Sequence, residues 1–170
     1  MIRVLMPLAA AALLTACATP TGPTASAQLQ PTRGNTTSGE VRFTQQGDQV
    51  LVSGEVRGLK PNAEHGFHVH EKGDCSSGDG MSTGGHFNPM GKKHGAHDGS
   101  EHHVGDLPSL KADAYGVARF NFASSSIAIG SGSSDVVGRG LIVHRDPDDY
   151  TTQPTGNAGP RLACAVITRM

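Results

Sequence analysis

The sequence lacks several features that mark other classes of protein. Tryptophan is absent and aromatic residues make up only 4% of the 170 residues, whereas glycine occurs 23 times. This composition favours short strands joined by tight turns over a helical bundle. An excess of one charge is also missing, since the formal net charge is -1. The sequence therefore gives no support for nucleic acid as a partner or for a polybasic membrane patch.

Long hydrophobic runs are missing as well, and the one apolar stretch lies near the N-terminus. Residues 4–14 are apolar and follow Arg3, a pattern too short to span a bilayer but typical of an export signal. The stretch ends in Leu14-Thr15-Ala16-Cys17, which resembles the lipobox of bacterial lipoproteins. The resemblance implies a signal peptide over residues 1–16 and lipid on Cys17. The alternative is an ordinary secretory signal cut elsewhere, with Cys17 incidental.

Cysteine is scarce, with only three residues, Cys17, Cys75 and Cys164. An odd number in an exported chain requires one cysteine to have a separate role. If Cys17 carries lipid, the other two either form a disulfide in an oxidising compartment or remain free buried thiols. We then expect residues 17–25 to be a lipidated N-terminus and flexible tether, and residues 26–170 to be one domain. No aspartate follows Cys17, so the expected location is the outer membrane, facing the periplasm.

Apolar and polar residues alternate in short segments from about residue 26 onward, without a convincing helical pattern. The predicted strands cover residues 27–30, 40–44, 49–56, 66–71, 107–111, 117–122, 140–144 and 163–167. Eight short strands predict an all-β fold, a sandwich or barrel. Two long polar segments, residues 72–106 and 145–160, each follow a strand that carries histidine. Because loops of this length are usually functional, we expect a site where they meet.

Seven side chains along the chain are of metal-binding type: His68, His70, His86, His94, His103, Asp106 and His144. Two residues apart on a strand, His68 and His70 project from the same face. Imidazole nitrogens with one carboxylate suit zinc or copper better than calcium or magnesium. Alternatively, these are a surface accident, a solvated loop and a core histidine, but all three explanations would have to hold at once.

The histidines lie in motifs that resemble those of copper/zinc superoxide dismutases. The matching stretches are His65-Gly-Phe-His-Val-His-Glu71, Gly85-His-Phe-Asn-Pro89, Lys93-His-Gly95, His103-Val-Gly-Asp-Leu107, Val143-His144, Gly156-Asn-Ala-Gly159 and Arg161-Leu-Ala-Cys164. They occur in order between about residues 27 and 168. The resemblance implies an eight-stranded Greek-key β-sandwich or barrel with a zinc/disulfide loop and an electrostatic loop. It also implies a bacterial, lipoprotein-type member of that family.

The resemblance further implies a dinuclear site with one copper and one zinc per chain. Copper would be bound by His68, His70, His86 and His144, and zinc by His86, His94, His103 and Asp106. His86 would be the bridging imidazolate and would take up a proton on its copper side during catalysis. The implied reaction converts two superoxide anions and two protons into dioxygen and hydrogen peroxide.

Four further residues have roles implied by the same resemblance. Arg161 would lie beside the copper and attract the substrate anion. Asp148 would hydrogen-bond one copper ligand and one zinc ligand, and so fix their ring orientations. Cys75 and Cys164 would form a disulfide. A homodimer and a monomer are both compatible with the sequence, and superoxide is the only expected small-molecule partner.

Some positions fall outside the family pattern or have no implied role. His65 is expected to be structural, and His97 and His102 to be solvated. The loop 145–160 is shorter than in the animal enzymes and lacks their paired acidic residues and a lysine that guide superoxide. Lys92, Lys93 and Arg145 are candidates to replace those charges. Other hypotheses are a metal-buffering lipoprotein and a structural sandwich whose histidines bind no metal.

Overall fold

The computed structural model describes residues 22–170. The predicted signal peptide, residues 1–16, and the predicted lipidation site, Cys17, lie outside this range. Within residues 22–170, no helix is long and apolar enough to cross a membrane.

Antiparallel strands account for nearly all of the regular structure. Their bounds are β1 Thr24–Pro31, β2 Ser38–Gln46, β3 Gln49–Arg57, β4 Glu64–His65, β5 Phe67–His70, β6 Leu110–Lys111, β7 Ala118–Ser124, β8 Gly140–His144, β9 Arg161–Val166 and β10 Thr168–Arg169. A short 3₁₀ helix covers Met81–Thr83. Buried and more exposed residues alternate along these strands. In β1, Ala25, Ala27 and Leu29 are buried and their neighbours are more exposed, as expected for a sheet with one face on the core.

The strands form one curled sheet in the order β5-β8-β9-β1-β2-β3-β7, with β10 added beside β1, and β4 pairs separately with β6. Strands that are distant in the chain are neighbours in this order, as in a Greek key. The core lies inside the curl, where Phe43 and Phe67 are fully buried. Each such side chain contributes roughly 1.5–3 kcal/mol relative to an exposed one. The prediction of an all-β Greek-key sandwich or barrel is confirmed.

Most strand bounds differ by a few residues from the sequence prediction, and two of these differences concern the site and the tether. The strand expected at residues 66–71 is present as the shorter β5, Phe67–His70, and Gly66 separates it from β4. The N–H of Gly66 donates to Asp146 O, and its carbonyl accepts from His144 N. The backbone of Gly66 therefore pairs with the start of the 145–160 loop. The first strand begins at Thr24, so residues 24 and 25 of the predicted tether 17–25 belong to the sheet. Thr24 pairs with Thr44, and the buried side chain of Ala25 belongs to the core.

Both long loops begin where two neighbouring strands, β5 and β8, end. One loop follows His70 and the other follows His144, and β5 pairs with β8 along its length. A disulfide joins Cys75 of the first loop to Cys164 of β9. Because this pairing is antiparallel, the two loops begin at opposite ends of the strand pair. They meet beside β5, where Asp148 of the second loop contacts His94 of the first loop and His68 of β5.

Candidate metal centre

Strand pairing positions three histidines on rigid elements. His68 and His70 lie on β5 and His144 ends β8, and all three are buried. A register shift between Val143 and His144 is the kind of irregularity that redirects a side chain. The His144 ring consequently lies 4.9 Å from the His68 ring and 5.6 Å from the His70 ring, measured between centroids.

The long loop 71–109 supplies the other members, because its backbone is hydrogen-bonded to β5. Phe87 N donates to Val69 O at 2.8 Å, and Val69 N donates to Gly105 O at 2.9 Å. These bonds hold His86 against His68, with stacked rings 3.9 Å apart, and place Asp106 opposite His68. The loop also contributes the buried side chains of Phe87, Val104 and Leu107 to the core, so core packing and these backbone bonds together hold its shape.

The seven predicted side chains converge into two adjoining groups that share one member. The four-histidine set consists of His68, His70, His86 and His144, and the histidine–aspartate set consists of His86, His94, His103 and Asp106. Within each set, one potential ligand atom per residue lies within 4.8 Å of the others, and every member is buried. His86 belongs to both sets, so a single imidazole separates two possible ion positions.

Buried ring nitrogens show what these sets can hold. His68 Nδ1, His86 Nε2, His94 Nδ1 and His103 Nδ1 have no hydrogen-bond partner in residues 22–170. An unsatisfied buried polar atom costs roughly 1–3 kcal/mol. His94 Nδ1 lies 3.0 Å from Asp106 Oδ2 but is not aligned to hydrogen-bond it, as expected for two atoms directed at a common ion. Nitrogen lone pairs converging in this way fit a transition metal.

In four of the ligand histidines, the nitrogen that faces away from the proposed ions is hydrogen-bonded to another residue. Asp148 lies between the two sets, with Oδ2 2.6 Å from His68 Nε2 and Oδ1 2.7 Å from His94 Nε2. His70 Nδ1 donates to Gly84 O and His144 Nδ1 donates to Gly159 O. Because carboxylate and carbonyl oxygens only accept, these bonds place a ring proton on each outer nitrogen, and the inner nitrogen of a neutral ring keeps its lone pair.

The electrostatics of the two sets differ. Burial lowers the pKa of His70 and of His144 well below the usual value, and neighbouring histidines lower it further. Burial also lowers the pKa of His86 to about 4, although the Asp106 carboxylate opposes the shift. In His94 burial is outweighed by Asp106 and Asp148, which raise the pKa to about 9. Without metal, His70, His86 and His144 are therefore neutral at pH 7, whereas the His94 ring is positively charged.

Arg161 is the first residue of β9. Its side chain is held by residues of the loop 71–109, which the Cys75–Cys164 disulfide joins to the same strand. Its Nη1 donates to Gly80 O and to Thr83 Oγ1, and its Nη2 donates to Gly84 O. Burial lowers the pKa of Arg161, and nearby Asp79 opposes that shift. An arginine remains charged in such a setting, so the site has a fixed, half-buried cation beside His70.

The remaining sequence predictions have different outcomes. His65 is buried, and its Nδ1 donates to His144 O at 2.9 Å. The expectation that His97 and His102 are solvated is wrong, because both are half-buried and bonded to the backbone. Arg145 is paired with Asp146, and Lys92 Nζ reaches Ser100 O at 3.4 Å, so neither cation is free of other partners.

Sequence reasoning missed two residues that support His94. Gln153 accepts from His94 N and donates to His94 O, both at 2.9 Å. Gly156 leaves the space that Asp148 and His94 occupy, since a Cβ there would lie 1.8 Å from Asp148 Oδ1. Gly156 starts the Gly-Asn-Ala-Gly motif named above, but it was given no role there, and no pattern marks Gln153.

A curled antiparallel sheet with two buried ligand sets sharing one imidazole has the arrangement expected of a dinuclear transition-metal site. A sequence model described as copper/zinc superoxide dismutase (SODC) matches residues 37–167. A protein named superoxide dismutase [Cu-Zn] from Paramecium bursaria Chlorella virus 1 is 44% identical over 135 residues, which are 76% of this chain and 71% of that protein. The crystal structure of the clock protein EA4 superposes with a TM-score of 0.80 at 40% identity, covering 92% of this chain and all of that one. The chain belongs to the copper/zinc superoxide dismutase family.

Proposed function

We propose that the protein is a superoxide dismutase, which converts two superoxide anions and two protons into dioxygen and hydrogen peroxide. The single observation that carries this proposal is the position of His86, whose one imidazole belongs to both buried ligand sets. The four-histidine set would hold copper, and the histidine–aspartate set would hold zinc. Bound copper would supply one-electron redox chemistry, and bound zinc, which is not redox-active, would supply structural order.

The chain's own residues have distinct tasks in this proposal. Arg161 attracts the superoxide anion and orients it, because its guanidinium is held beside His70 by three acceptors. His86 Nε2 faces the four-histidine set and has no other partner in residues 22–170. It can therefore hold a proton between the reaction of the first superoxide anion and that of the second. Asp148 fixes the rings of His68 and His94 and so keeps both sets aligned.

The proposal is tested with purified protein loaded with one copper and one zinc per chain. We expect dismutation by the loaded protein, and its loss in His144→Ala, which removes a nitrogen from the four-histidine set only. Zinc content should be unchanged in that variant, since His144 is absent from the histidine–aspartate set. A wild-type protein that binds both metals and does not dismutate superoxide would refute the proposal.

We also infer that the protein is a bacterial lipoprotein of this family, anchored through Cys17 to the outer membrane and facing the periplasm. Cys75 and Cys164 are bonded to each other, which leaves Cys17 as the remaining cysteine of the sequence. Six residues separate it from the first strand at Thr24, enough for a short tether. In a bacterial host given labelled fatty acid, the wild type should incorporate label and Cys17→Ser should not. Equal labelling would refute the anchor.

A further inference from the structure

The metal sets leave two histidines of the long loop without a role, His97 and His102. Their rings face each other, with centroids 5.6 Å apart. His97 Nδ1 lies 2.8 Å from Asp106 O, and His102 Nδ1 lies 2.7 Å from His103 O. Each histidine thus contacts the main chain of one member of the histidine–aspartate set.

The direction of these hydrogen bonds is fixed by chemistry. A carbonyl oxygen only accepts, so Nδ1 of each ring carries the proton, and Nε2 keeps the lone pair. Consistent with this tautomer, Ser126 Oγ lies 3.4 Å from His102 Nε2. The His103 carbonyl also accepts from Asp106 N at 3.2 Å. It therefore connects the His102 ring to the backbone of both residues.

The outer sides of the two rings rest on the sheet and on the turn that follows it. The His97 ring lies 6.0 Å from the Phe122 ring in an edge-to-face arrangement. Ser126, which contacts His102, is held by its N–H to Ser124 Oγ at the end of β7. Strand β7 pairs with β3 over seven residue pairs, so it is a rigid support. The histidine pair connects this support to a loop segment in which His103 lies outside any strand and Asp106 forms only an isolated bridge with His68.

We propose that His97 and His102 are positioning residues that hold the carbonyls of Asp106 and His103, and thereby preorganise the histidine–aspartate set for zinc. Neither histidine is a ligand, since neither is a member of a ligand set within residues 22–170. The inference rests on the proposed function, which assigns zinc to that set. Groups that orient metal ligands typically change metal affinity by about 10–100-fold when they are removed.

The choice of substitution makes a sharp test possible. Asparagine places an amide nitrogen as many bonds from the backbone as histidine Nδ1, whereas glutamine places one at the distance of Nε2. His97→Asn with His102→Asn should therefore keep the two hydrogen bonds, and His97→Gln with His102→Gln should lose them. We expect zinc affinity, measured by competition with a chromophoric chelator, to fall about 10-fold or more in the glutamine variant and less than about 3-fold in the asparagine variant.

Two further measurements separate this role from general stabilisation. The copper affinity of the zinc-free variants should fall less than their zinc affinity, since three of the four members of the four-histidine set, His68, His70 and His144, lie on strands. Zinc affinity is measured at a temperature far below the thermal unfolding midpoint of each metal-free variant, so that unfolding does not lower the apparent affinity. Unchanged zinc affinity in the glutamine variant would overturn the inference, as would equal losses in both variants. If the wild type bound no zinc, the proposed function itself would fail, a result distinct from either of these.

Discussion

His70 and Arg161 share one hydrogen-bond acceptor, the carbonyl oxygen of Gly84. His70 Nδ1 donates to it at 2.9 Å and Arg161 Nη2 donates to it at 2.7 Å. The shared acceptor fixes the distance between a proposed copper ligand and the residue proposed to attract superoxide. Gly84 belongs to the loop that Cys75 joins to β9, so the disulfide, the cation and the ligand form one connected unit.

Replacing Arg161 with glutamine should lower the rate of dismutation at low salt by about 10-fold or more, because electrostatic attraction of an anion raises association rates by about 10–1000-fold. Copper content should not change, since Arg161 is not in either ligand set. Rates are followed as a function of ionic strength. Arg42→Gln is the matched control, because it removes the same charge from an exposed position on β2. Equal rates in the two variants would contradict the role of Arg161.

Gly156→Ala should lower zinc affinity and stability together. Its Cβ would meet Asp148 Oδ1 at 1.8 Å and His94 Nε2 at 2.4 Å, and its φ of +65° also disfavours a side chain. Gly132→Ala separates the two effects, because Gly132 has φ +80° with nothing within 4 Å. Backbone strain alone costs about 1–2 kcal/mol, so urea unfolding should show about that loss for Gly132→Ala and a larger loss for Gly156→Ala. Zinc affinity should fall about 10-fold or more in Gly156→Ala only.

Zinc binding to the metal-free protein should release about one proton at pH 7.5, because a ligand nitrogen must be deprotonated. The pKa of His94 in the folded, metal-free protein is raised to about 9, so at this pH both ring nitrogens carry a proton and the ring is positively charged. The pKa of His86 is lowered to about 4, so this ring is already neutral. Apparent zinc affinity should therefore rise with pH until about pH 9 and then level off.

Calorimetry in buffers of different ionisation enthalpy measures that proton release. A buffer-independent heat of zinc binding at pH 7.5 would show that His94 is already neutral. The same titration repeated at about pH 10 is the internal control, since His94 has then lost its proton.

Reduction of the Cys75–Cys164 disulfide should lower the free energy of unfolding of the metal-free protein by about 2–5 kcal/mol. The bond closes a loop with a sequence separation of 89, so it restricts the unfolded chain strongly. Urea unfolding with and without reductant gives the difference. The double variant Cys75→Ala with Cys164→Ala should have the stability of the reduced protein and should not respond to reductant. A response in the double variant would mean that reductant acts elsewhere.

The sequence predicted the ligand types and the fold because both depend on local chemistry. Alternation of apolar and polar residues is enough to predict strands such as β2 and β3. The spacing of His68 and His70 predicts that they share a face. The resemblance to copper/zinc superoxide dismutases implied which side chains would converge, and both ligand sets contain those members.

Only the tertiary structure decided which nitrogen of each ring faces inward and what holds it there. The partners of His70, His144, His97 and His102 are backbone carbonyls. Every residue has a carbonyl, so no residue type in the sequence marks those that serve as acceptors. The solvated state expected for His97 and His102 was wrong for this reason, and the contacts of Arg161 with Gly80 and Gly84 could not be foreseen. The sequence specifies the identity of each side chain, whereas the position of a backbone oxygen relative to those side chains is set only when the chain folds.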